Sequence, residues 1–60
     1  MVKVEIIEKE TISNFKININ NFIRQNKIDV IDIKFEVERV STNKTVYYAM
    51  IIYRDRQIYG

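Results

Sequence analysis

The sequence predicts an α+β fold: one small domain spanning residues 1–60, ordered β-α-β-β, with a single helix packed on an antiparallel sheet. Three observations predict it. Apolar and charged residues alternate with strand period at residues 2–6 and again at residues 30–40. A helical stripe of apolar residues lies between those stretches. There is no proline, and the only glycine is Gly60, so nothing marks a linker or a second domain.

The first strand is VKVEII, in which Val2, Val4 and Ile6 alternate with Lys3 and Glu5. In TISNFKININNFIRQNK, the positions of Ile12, Phe15, Ile19, Phe22, Ile23 and Asn26 follow the i, i+3, i+4, i+7 spacing of an amphipathic helix. Phe15, Ile17 and Ile19 alone would also suit a strand, but the length of the stretch favours a helix. Thr11 or Ser13 can cap its start, and Lys27 suits its negative C-terminal end. Ile17 points off the stripe and is a candidate for facing a partner.

In VIDIKFEVERV, residues 30–40, Ile31, Ile33, Phe35 and Val37 fall on one side and Asp32, Lys34, Glu36 and Glu38 on the other. STNK forms the turn, with Asn43 suited to a left-handed hairpin position. Residues 45–54 form the last strand. If the hairpin closes on Asn43 and Lys44, Phe35 lies opposite Ile52, Val37 opposite Met50 and Arg39 opposite Tyr48, on the helix side. The opposite face then carries Tyr47, Ala49, Ile51 and Tyr53. A slip of one residue would exchange Tyr48, Met50 and Ile52 for that set. In either register VYYAMIIY, residues 46–53, is apolar on both faces, and one helix covers only one.

Size points the same way. A chain this short buries only about 60% of the surface that it exposes when unfolded. Small scaffolds add disulfides, a metal or a partner subunit. With no cysteine and no histidine, the first route is closed and the usual zinc ligands are missing. A homo-oligomer is therefore expected, with Tyr47, Ala49, Ile51, Tyr53 and Ile17 at its interface.

The same composition leaves catalysis poorly supplied. No Gly-rich phosphate loop exists, and a nucleophile would have to be a serine, threonine or lysine with an unusual base. Glu36 and Glu38 share a strand face, as solvated strand residues do. The expectation is a protein that is not an enzyme, with no metal and no cofactor. The N-terminal segment is interrupted by charges and no run approaches a membrane span, so a cytoplasmic protein is expected.

Binding is better supplied. YRDRQIY, residues 53–59, interleaves tyrosines with arginines. Arg54 and Arg56 could hold phosphates, and Tyr53, Tyr47 or Tyr48 could stack bases. A net charge of +2 suits a small phosphorylated ligand better than a long nucleic acid.

VIDIKFEV followed by YYAMIIYRD, after a short strand and a helix, resembles a family of small sporulation proteins of Firmicutes and their phages. The resemblance spans nearly the whole chain and implies a structural or regulatory module that binds another protein. In size, missing catalytic groups and expected assembly, the chain is also similar to compact phage proteins that sequester cyclic nucleotide immune signals. That likeness implies an anti-defence sponge, acting in the host cytoplasm and holding a cyclic oligonucleotide at subunit interfaces.

Overall fold

The computed structural model describes residues 1–56. Strand β1 (Val2–Lys9) leads into helix α1 (Ile12–Gln25), followed by the long hairpin β2 (Ile28–Ser41) and β3 (Lys44–Asp55). All pairings are antiparallel and the sheet order is β1-β3-β2. The apolar run VYYAMIIY is therefore the central strand, hydrogen-bonded on both edges, with α1 across one face.

The helix begins where Thr11, in extended conformation, accepts the Asn14 backbone N–H on its Oγ1 at 3.3 Å. It ends at Asn26, whose side-chain Nδ2 donates to the Phe22 carbonyl at 2.7 Å. Arg24 stands in the last turn, where a cation suits the helix dipole. Asparagine competes for backbone partners in a helix, and Asn18 does so here, donating to the Asn14 carbonyl at 2.8 Å. Packing holds the helix in place. Phe15 and Ile19 are buried with Ile7, Ala49 and Ile51, and Phe22, Ile23, Ile33, Tyr47 and Tyr53 close around them.

The hairpin register differs from the expected one, for a local reason. The turn is Thr42–Asn43, with Ser41 opposite Lys44. Placing the turn one residue earlier moves the pairing by two positions and leaves the faces unchanged. A bulge at Val40, between the Arg39 and Ser41 pairs, moves it by one more. That odd step flips the strand. Phe35 thus faces Ala49, Val37 faces Tyr47 and Arg39 faces Thr45. No described residue takes a positive φ, Asn43 included, so the left-handed turn expected at Asn43 is not formed.

A second bulge at Ile31 returns the other end of β2 to the opposite parity. Ile28 is buried in consequence, and Ile31 turns outward instead of joining Ile33 and Phe35.

The helix is much shorter than the sheet it covers. Fourteen helical residues span about 21 Å, whereas fourteen strand residues span about 46 Å. The molecule is accordingly a plate of 52 × 18 × 10 Å. Its radius of gyration is 13.5 Å, against about 10 Å for a compact domain of this length. Much of β2 is left bare, with Phe35 63% and Val37 61% exposed.

Candidate interaction surface

The face of the sheet turned away from α1 is built in rows by the strand register. Val2, Arg54 and Asp29 form one row; Val4, Ile52 and Asp32 the next; Ile6, Met50 and Lys34 the third; Glu8, Tyr48 and Glu36 the fourth. Its β1 and β3 columns are apolar in the middle, and its β2 column is charged. Ile6, Lys34, Glu36, Tyr48 and Met50 line a shallow recess of about 310 Å³ on this face.

Strand β1 carries its apolar alternation on this uncovered side. Val2, Val4 and Ile6 are exposed there, whereas Ile7 is the one apolar β1 residue turned toward the helix, beside Lys3, Glu5 and Lys9. An ordinary surface strand places its polar residues outward. Burying Val4, Ile6, Met50 and Ile52 fully would yield up to about 1.5 to 3 kcal/mol for each large side chain. A core of this size supplies only about 3 to 5 kcal/mol in all.

A second apolar surface lies on the helix side, where α1 stops short of β2. Ile12, Phe15, Ile19, Phe35, Val37 and Tyr47 line a groove of about 420 Å³. Phe15 forms its floor, edge-on to Phe35 at 6.2 Å between centroids and tilted against Tyr47 at 5.6 Å.

The residues expected at the oligomer interface divide between core and surface. Ala49 and Ile51 are 1% and 0% exposed beneath the helix, so they belong to the core of the single chain. Tyr47 and Tyr53 share their face, half-buried, with the Tyr53 ring edge-on to Phe22 at 5.3 Å. The apolar row left uncovered is instead Tyr48, Met50 and Ile52, because the Val40 bulge flips the register. Ile17 lies exposed on the outer side of the helix.

The expected phosphate and base contacts do not converge within one chain. Tyr53 and Arg54 are adjacent and therefore project from opposite faces. Arg54 and Tyr48 share the back face but stand six residues apart along β3, about 20 Å. Arg56 is engaged locally: its Nε donates to Asp29 Oδ1 at 3.1 Å and its terminal nitrogen to the Ile28 carbonyl at 3.2 Å. Met1, Asp29, Arg54, Asp55 and Arg56 frame a polar recess of about 360 Å³. Among the described residues Arg54 makes no ion pair. The tyrosine at position 59 lies outside the described residues.

Charge divides the back face lengthwise. Glu8, Glu36 and Glu38 surround Tyr48, whose hydroxyl donates to Glu38 Oε2 at 3.4 Å. Burial of the ring, reinforced by the Glu8 and Glu38 carboxylates, pushes the Tyr48 phenol above its ordinary value. The opposite end carries Arg54. Val2, Val4 and Ile6 were the surface residues that sequence reasoning left unassigned, and their period-two spacing was the signal for them.

Among the described residues no cluster of three or more acidic side chains could hold a metal ion, and no buried side-chain nitrogen or oxygen lacks a partner. Among the described residues no helix is long and apolar enough to cross a membrane. No protein-family model, curated protein or solved structure matches the chain. What the structure defines is a small α+β domain with an apolar sheet face that its own helix does not cover.

Proposed function

We propose that the protein is a non-enzymatic binding protein that works as a homo-oligomer and recognises its partners through uncovered sheet surface. One observation carries this reading: Val4, Ile6, Met50 and Ile52 form a continuous apolar patch on the face opposite the helix. A contiguous apolar patch rimmed by charge marks a contact surface. Light scattering on the purified chain tests it. A mass of two or more 7.3 kDa subunits is expected, and a folded single subunit across the micromolar range contradicts it. An assembled module of this kind also suits the protein-binding role that the family resemblance implies.

A second reading is capture of a small anionic nucleotide between copies. Arg54 favours it, being exposed and without an ion pair among the described residues. The bases would need a tyrosine from another chain, since Tyr48 of the same chain is out of reach. Thermal-shift measurements with cyclic di- and trinucleotides discriminate. A raised melting point supports a cyclic-nucleotide sponge, and an unmoved one leaves the protein-binding reading alone.

A further inference from the structure

We infer that the back face pairs with the back face of a second copy about a two-fold axis that crosses the strands between the Ile52 and Met50 rows. The inference rests on the oligomeric reading above and supplies its geometry. An axis lying in the interface and perpendicular to the strands sets each strand over its own copy, running antiparallel. The row Val4, Ile52, Asp32 then lies on the row Ile6, Met50, Lys34 of the second copy. Val4 meets Ile6, Ile52 meets Met50, and the Asp32 carboxylate meets the Lys34 ammonium. Symmetry makes each of these contacts twice.

The outer rows agree on the central strand but not on its neighbours, where Val2 falls over Glu8 and Asp29 over Glu36 of the second copy. Arg54 falls over Tyr48 of the second copy, flanked there by Glu8 and Glu36. Asp29, in the Arg54 row, is already neutralised by Arg56. Packed sheets cross at about 30°, which shifts the central β3 contacts by about 2 Å and the Asp32–Lys34 contact, one strand spacing to the side, by about 3 Å, within the reach of a lysine side chain.

Other settings fail on the same residues. Centred on the Met50 row, Lys34 would face Lys34 and Val4 would face Glu8. Centred on the Ile52 row, Asp32 would face Asp32 and Met50 would face Arg54. One step further toward the turn, Ile6 would face Glu8. An axis parallel to the strands would lay the apolar β1 column on the charged β2 column. Among these settings, one matches apolar to apolar and acid to base together across its two central rows.

Charge reversal tests the geometry. Asp32→Lys alone, or Lys34→Asp alone, sets like charges against each other twice per dimer. Each is expected to weaken dimerisation at least tenfold by sedimentation velocity. The double variant Asp32→Lys/Lys34→Asp is expected to restore it. So is equimolar mixing of the two single variants, because every contact again joins an acid to a base. Both side chains are exposed, so circular dichroism melts should show that the single variants stay folded. Dimerisation indifferent to the single reversals, or not rescued by the double variant or the mixture, overturns the back-to-back arrangement while leaving an oligomer by another face. A monomeric wild type overturns the oligomeric reading itself.

Discussion

Ile51 and Met50 are consecutive in β3 and stand on opposite sides of the sheet, Ile51 wholly enclosed beneath the helix and Met50 open on the back. The central strand thus serves two surfaces, and substitutions on it should separate folding from assembly. Ile51→Ala leaves a cavity in the core beneath the helix and is expected to cost about 2 to 5 kcal/mol, enough to unfold most of the population in urea titrations. Met50→Lys should leave a folded chain and lower its assembly. Equal loss of folding in both variants would contradict the two-surface description.

The Val40 bulge decides which face of β3 the helix receives. Deleting Val40 while the turn holds would bring Lys34, Glu36 and Glu38 to the helix side, and burying charges without partners is prohibitive. A chain lacking Val40 is expected to lose its cooperative thermal transition. Val40→Ala keeps the residue count and trims an exposed side chain, so it should stay within about 0.5 kcal/mol of wild type. A cooperative melt from the deletion variant would show that the bulge does not fix the face.

The helix start depends on one hydroxyl. Thr11→Ala removes the acceptor for the Asn14 N–H and should cost about 1 kcal/mol. Thr11→Asp should match or exceed wild type, because the first turn holds no acidic residue to complement the dipole. Chemical denaturation of both variants checks the order. Destabilisation by aspartate equal to that by alanine would argue against the cap.

Alkaline pH should loosen the acidic end of the back face. The Tyr48 phenol is raised above its ordinary value by burial and by Glu8 and Glu38. A raised folded value means that its contribution is complete below the unfolded value, about 10 for tyrosine, and is lost as pH climbs through the folded one. Lys3, raised by its hydrogen bond and ion pair with Asp55, loses its contribution as pH rises in the same sense. Melting temperature should therefore fall above about pH 10. Tyr48→Phe should flatten that fall, leaving the part due to Lys3. A profile unchanged by Tyr48→Phe would remove the phenol from the account.

The sequence carries the elements and their order plainly, because alternation and helical spacing are strong in VKVEII, VIDIKFEV and the Phe15–Ile19–Phe22 stripe. It does not carry the choice of face. A strand apolar on both sides gives no parity signal, and the two bulges at Ile31 and Val40 lack the glycine or proline that would announce them. Placing Ala49 and Ile51 at an interface followed from that missing parity. Grouping Arg54 with Tyr53 had a different cause: neighbours in a strand sit on opposite faces, so adjacency in sequence is not convergence in space.

Whether the back face is covered in solution is read most directly from the Met50 sulfur. Peroxide oxidises accessible methionine to the sulfoxide, and its rate at Met50 can be followed by peptide mass spectrometry against a free methionine reference. The rate at Met50 is expected to fall as protein concentration rises through the assembly range, and to stay high at all concentrations in the Asp32→Lys variant. A wild-type rate that is fast and independent of concentration would mean that the face stays open, and would contradict the assembly described here.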